Sequence, residues 1–156
     1  MIINSKKKTI IIFEPFPFEM TAKLARALRL NGYYTILIYC NEGTAEGNTF
    51  LEKAYNEIIP LNDSKTRGIK SIPQVVKMVK EIKPYAFIYI SLPEIPGVLL
   101  KFLLKDICPF VYFPYDIISV VPQVLDTFRK KIKYFFEIRA QKFLLKSSDG
   151  IIHKGY

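Results

Sequence analysis

Lys83-Pro84-Tyr85-Ala86-Phe87-Ile88-Tyr89-Ile90-Ser91 is the stretch on which the fold turns. From Tyr85 to Ile90 it carries no charge, and a strand apolar at consecutive positions has to be covered on both faces. That predicts the central strand of a parallel sheet. Pro84 suits the position just ahead of it, because proline cannot donate to a ladder and marks where a preceding helix has stopped. Ser91 and the turn Leu92-Pro93-Glu94 then stand at the strand's carboxyl end, where open α/β sheets keep their ligands.

Working back from this strand, Ser71 offers an N-cap and Pro73 is tolerated in a first turn, so Val75, Val76, Met78, Val79 and Ile82 read as a helix feeding it. The polar segment from Asn62 to Lys70, interrupted by Gly68, reads as a mobile surface loop. Earlier still, Thr9 to Phe13 is a buried-strand run, and Glu14-Pro15-Phe16-Pro17 turns the chain directly after it. A helix around Ala22 to Leu30 stops at Asn31-Gly32. A strand over Tyr34 to Tyr39, a short helix around Phe50 to Tyr55 and a brief strand at Glu57 to Ile59 complete this half.

Working forward, a largely apolar helix over Pro96 to Lys105 leads to a fifth strand, Pro109 to Phe113, whose carboxyl end carries Pro114-Tyr115-Asp116. From Phe128 a long helix begins. Phe128, Ile132, Phe135, Phe136, Ala140, Phe143 and Leu144 repeat at spacings of three and four, which predicts an aromatic stripe in the core with Arg129, Lys130, Lys131, Lys133, Arg139 and Lys142 on the other sides. Ser147-Ser148-Asp149-Gly150 ends that helix before a last short strand, Ile151-Ile152-His153. The alternation implies a three-layer α/β/α, Rossmann-like, doubly wound and mostly parallel sheet of about six to seven strands, forming a single domain over residues 1–156.

Composition agrees with one folded unit: 156 residues, 50% hydrophobic and 14% aromatic. The two cysteines, Cys40 and Cys108, lie far apart without metal-ligand spacing, so neither a metal site nor a disulfide framework is indicated, and a reducing, cytoplasmic compartment is the simpler reading. No window reaches the roughly 18 uncharged apolar residues of a spanning helix. A net charge of +9 favours anionic partners such as acidic lipid head groups or phosphorylated molecules. Because the cations are spread over several helices rather than gathered with exposed aromatics, nucleic acid is disfavoured.

The turn after the first strand contains no glycine, so the GxGxxG phosphate turn of dinucleotide-binding proteins is missing where it would have to be. No GxxxxGK[ST] loop or GxSxG elbow occurs either. What remains is Glu14 after the first strand, Asp116 after the fifth and Ser91 between them in chain order, at tips that share one rim in a doubly wound sheet. Each also has a plain structural reading: the carboxylates as helix caps, the serine as a turn hydroxyl.

The first strand with its helix, the Lys83 to Ser91 strand, the Val111-Tyr112-Phe113-Pro114-Tyr115-Asp116 strand end and the closing Asp149-Gly150-Ile151-Ile152 together resemble the amino-terminal half of a GT-B glycosyltransferase. The likeness is to the retaining group that includes sucrose and glycogen synthases and lipopolysaccharide and capsule enzymes. The chain departs from that pattern in having Glu14-Pro15-Phe16-Pro17 in place of a glycine-rich loop and Tyr115 in place of a histidine. The resemblance implies an acceptor-binding lobe whose partner is a carboxyl-terminal lobe, in cis or in trans, that holds the nucleotide-sugar donor; no cofactor is then expected in this domain. Glu14, Phe16, Ser91, Tyr115 and Asp116 would line the acceptor side of the cleft. The acceptor would be a glycan or lipid-linked, and the basic helices would suit a location peripheral to an acidic membrane. The alternative is a non-catalytic Rossmann-like module that binds an anionic ligand or a partner protein.

Overall fold

The structure, a computed structural model, describes residues 8–15, 19–40, 49–63, 66, 68–90, 94–114 and 127–152. Six strands, β1 (Thr9–Phe13), β2 (Tyr34–Cys40), β3 (Glu57–Leu61), β4 (Ala86–Ile90), β5 (Phe110–Phe113) and β6 (Gly150–Ile151), alternate with α1 (Glu19–Leu30), α2 (Thr49–Ala54), α3 (Ile72–Ile82), α4 (Glu94–Leu104) and α5 (Phe128–Ser147). The strands form one sheet in the order β3-β2-β1-β4-β5-β6, and every pairing is parallel. β4 pairs with β1 on one side and β5 on the other, with Ile12 facing Ile88 and Ile88 facing Val111. The uncharged run thus has a neighbour on each edge and a helical layer on each face.

Alternation along the strands divides the core in two. Ile11, Phe13, Ile36, Ile38, Phe87, Tyr89, Phe110 and Tyr112 pack under α3, α4 and α5 with Val75, Val79, Leu100 and Leu144. Ile10, Ile12, Leu37, Ile88 and Ile90 pack with Ala22 and Ala25 of α1 and with Leu51 and Ala54 of α2. Each buried Ile, Leu or Phe contributes about 1.5–3 kcal/mol, and this double layer is what holds the sheet. α3 ends at Lys83, which adopts a left-handed conformation (φ 49°) with its amide donating to the Val79 carbonyl at 2.9 Å. Pro84 explains that stop, since the residue before a proline is kept out of the right-handed helical region.

Two expectations are corrected. Phe128, Ile132, Phe135 and Phe136 of α5 do not enter the core: all four are exposed, Phe128 at 79% and Phe136 at 54%. The buried residues of α5 are Glu137, Gln141 and Leu144. Glu137 and Gln141 find partners on α4 and β5, and because successive helical residues turn by about 100°, Phe135 is then carried to the opposite side. The apolar pattern reaches the core at Leu144, with Phe143 packed against it, and misses it from Phe128 to Phe136, where buried polar groups with partners settle which face turns inward.

The second correction concerns the segment before α3. Asp63 is buried and accepts hydrogen bonds from the Ser71 amide (3.0 Å), the Ser71 hydroxyl (3.2 Å), the Thr66 amide (3.2 Å) and the Thr66 hydroxyl. Gly68, at φ 94°, sits against the Phe13 ring, and a β-carbon there would meet Phe13 Cζ at 3.0 Å. The described part of this segment is therefore tied to the end of β1. Ser71 stands at the N-cap of α3, but its side chain makes no capping bond to the helix and serves Asp63 instead.

Candidate functional site

Strand order reverses between β1 and β4, and the carboxyl ends of β1, β4 and β5 lie side by side. Crevices at such a reversal are where open α/β sheets bind ligands. Glu14 follows β1 directly. It is 1% exposed, its amide donates to the Ile38 carbonyl at 3.1 Å, and its carboxylate accepts the Thr21 hydroxyl of α1 at 2.6 Å. Tyr55, also buried, lies near enough for burial first and the Glu14 charge second to push its phenol up. Glu14 is thus an acidic side chain held beneath the rim, fixed to the first turn of α1. Phe16, Ser91, Tyr115 and Asp116 lie outside the described residues; the strands that Ser91 and Asp116 follow, β4 and β5, are neighbours.

A second acidic group stands at this rim, one that the sequence placed in the turn after β4 without indicating a role for it. Glu94, the first residue of α4 after β4, is fully buried. Its carboxylate accepts the Tyr112 hydroxyl at 2.7 Å and the Gln141 amide at 3.1 Å, while its own backbone amide donates to the Glu137 carboxylate at 2.9 Å. Three elements, α4, β5 and α5, are joined through these contacts. Tyr89 of β4 packs against the cluster, where burial, then the Glu94 charge, then Tyr112 and Glu137 raise its phenol well above the ordinary value. Two signals were present in the sequence: an acid immediately after the Leu92-Pro93 strand end, and a Glu137–Gln141 pair one helical turn apart.

The consequence is electrostatic. The amino terminus of a helix ordinarily offers unpaired amides and partial positive charge to an anion. At α4 one of those amides is occupied by Glu137, and Glu94 stands in the first turn. At α1 the preceding turn carries Glu14. An acidic side chain of the protein thus occupies a helix-start amide at α4, and another, Glu14, is held by the Thr21 hydroxyl near the start of α1.

Asp149 works at the other end of the sheet. It precedes β6, accepts the Lys101 ammonium at 2.7 Å and the Phe110 amide at 2.8 Å, and so ties α4 to the start of β5. The Lys101 hydrogen bond, helped by the Phe110 amide, holds its carboxyl below the usual value. Its part in the Asp149-Gly150-Ile151-Ile152 motif is architectural. Among the described residues no group of three or more His, Cys, Asp or Glu side chains is assembled that could hold a metal ion.

No family model and no curated protein matches this chain. Solved structures do. One, SsCR_L211H, superposes with a TM-score of 0.55 at 11% identity, covering 96% of this chain and 58% of its own. Another, the Helicobacter pylori ADP-L-glycero-D-manno-heptose-6-epimerase, gives 0.53 at 10% identity, covering 92% of this chain and 52% of its own. The fold is Rossmann-like. At these identities the likeness extends to the parallel sheet with helices on both sides, and this chain spans little more than half the length of either neighbour. Neither neighbour is named as a GT-B glycosyltransferase, so what they support is the single Rossmann-like layer system rather than a two-lobed enzyme.

Proposed function

We propose that this Rossmann-like chain is the acceptor-side lobe of a sugar transferase, which works with a carboxyl-terminal lobe carrying the nucleotide-sugar donor. The observation that carries this reading is the set of buried acidic side chains at the strand-order reversal, Glu14 before α1 and Glu94 with Glu137 at α4. A rim backed by these buried acidic side chains is poorly suited to a nucleotide's phosphates and better suited to a neutral, hydroxyl-rich ligand. The sequence resemblance to the amino-terminal half of GT-B enzymes supports the same division of labour. In it, Glu14 biases the rim electrostatically from beneath, and Phe16, Ser91, Tyr115 and Asp116 contact the acceptor.

The test supplies the second lobe and follows sugar transfer to a glycan or lipid-linked acceptor. The lone chain is expected neither to turn over nor to bind NAD or a nucleotide-sugar. The two-domain protein is expected to transfer sugar, and Asp116→Ala combined with Glu14→Gln is expected to slow it at least tenfold. Transfer at the parental rate by that double variant overturns the site assignment. Tight binding of NAD by the lone chain overturns the reading as a whole and leaves the non-catalytic binding module in its place.

A further inference from the structure

The outward surface of α4 and α5 combines three properties. First, it is apolar and exposed: Ile95, Leu99 and Phe102 recur along one side of α4, with Ile132, Phe135 and Phe136 on α5, all in contact with solvent and Phe102 at 58%. Second, it is shared by the two helices, because the Phe102 ring stacks on Phe143 of α5 at 5.1 Å and Phe143 follows Phe136 by two helical turns on the same side, where Phe136 meets Phe135 edge-on at 5.7 Å. Third, its charge has one sign. The carboxylates of the two helices, Glu94 and Glu137, are both turned inward, whereas Arg129, Lys130, Lys131, Lys133, Arg139, Lys142 and Lys146 are all exposed on α5. The Arg139 guanidinium lies over the Phe135 ring at 4.3 Å, so cation and aromatic present themselves together.

We infer that this face docks on the surface of an anionic phospholipid bilayer. Large apolar side chains exposed in a contiguous patch mark an interaction surface, and a helix with Phe and Leu beside a dense row of Lys and Arg is the composition of one that lies in the plane of the lipid head groups. The phenylalanines enter the acyl boundary while the long basic side chains reach sideways to the phosphates. Charge selects this occupant over a second copy of the chain. An isologous pairing of two such faces would bring the same cations together with no exposed carboxylate on either helix to answer them. Among the described residues no helix is long and apolar enough to cross a membrane, so the contact is one of lying on the bilayer. This surface is the outer face of α4 and α5, and the inference gives the peripheral location that the resemblance implies a physical surface without resting on the sugar-transfer reading.

Co-sedimentation of the 156-residue chain with vesicles tests it without any assay of transfer. The chain is expected to pellet with vesicles of phosphatidylglycerol and phosphatidylcholine in equal parts, and at least tenfold less with phosphatidylcholine alone or at 0.5 M salt. Phe102→Ser with Phe136→Ser is expected to abolish pelleting, and Lys131→Glu with Lys133→Glu to weaken it at least tenfold. All four positions are exposed, so the variants should keep the parental circular dichroism and urea midpoint. Three results overturn the inference: no binding to anionic vesicles, binding that survives loss of both phenylalanines, or a concentration-dependent dimer that the phenylalanine variant converts to monomer.

Discussion

The Tyr112 hydroxyl donates to the Glu94 carboxylate at 2.7 Å, joining the fifth strand to the first residue of α4 inside a region that water does not reach. Removing that donor leaves a buried acceptor short of one bond, a deficit of about 1–3 kcal/mol. Tyr112→Phe is expected to lower the unfolding free energy by that amount, read as a lower urea midpoint with the slope of the transition unchanged. A variant as stable as the parent would mean that Glu94 is satisfied without Tyr112.

Gly97 is set by its neighbour. A β-carbon at this position would meet the ring of Tyr89, coming within 2.6 Å of Cδ1, and Tyr89 is fully buried beneath α4. Gly97→Ala should therefore destabilise by about 1–3 kcal/mol through overpacking, although alanine is the better helix former. Combining it with Tyr89→Leu, which vacates the ring, should cost less than the sum of the two single changes. Strict additivity in the double-mutant cycle would show that the two sites do not touch.

Both cysteines are buried, and both thiols are held in the protonated form. Burial, with the Asp63 charge behind it and partly offset by the Ser71 hydroxyl, raises Cys40 to about 12; burial and then Asp149, offset by Lys101, raise Cys108 to about 11. Since the thiolate is the reactive species, iodoacetamide at pH 8 should label the native chain at least about a hundredfold more slowly than free cysteine. In urea both should react at the ordinary rate. Fast labelling of either thiol in the native chain would contradict its placement.

Acid stability follows from two aspartates. Burial alone would raise Asp63, but the Thr66 hydroxyl, the Ser71 and Thr66 amides and the Ser71 hydroxyl bring it below its usual 3.8. Asp149 is lowered chiefly by Lys101. A folded-state value below the unfolded one means that the stabilisation is complete above the unfolded value and disappears as pH falls through the folded one, below about pH 4. Urea midpoints measured from pH 7 down to pH 2 should fall more steeply in the parent than in Asp63→Asn, which is already weaker at neutral pH. Parallel curves would remove Asp63 from the account.

Much of this architecture is visible in the sequence, for physical reasons that can be traced residue by residue. The uncharged run from Tyr85 to Ile90 had to be covered on both faces, and the prolines and glycines around Pro15, Gly32 and Pro84 punctuate the elements where backbone geometry requires it. α5 was misread because its phenylalanines outweigh a single Glu and a single Gln in any count of apolar periodicity. The partners that draw Glu137 and Gln141 inward lie more than twenty residues away in the chain, on α4 and β5. Glu94 has no legible role in the sequence for a related reason: an acid in the turn after a strand is ordinary, and only the tertiary structure shows that it opens α4 and that Tyr112 and Gln141 close over it. Of the rim residues read from sequence, Glu14 is at a described strand end, and it is bound to Thr21 rather than open to a ligand.

The position of β1 bears on how the chain is made. Thr9–Phe13 leaves the ribosome before both strands that flank it, and it is hydrogen-bonded on both sides, by β2 on one edge and by β4 on the other. Until Ala86–Ile90 has emerged, a nascent β1–β2 ribbon displays one unmatched row of amides and carbonyls along a strand that is apolar from Ile10 to Phe13, the kind of edge that recruits other chains. Slow translation between β2 and β4 would lengthen that exposure, so the yield of folded protein should depend on how quickly this interval is synthesised.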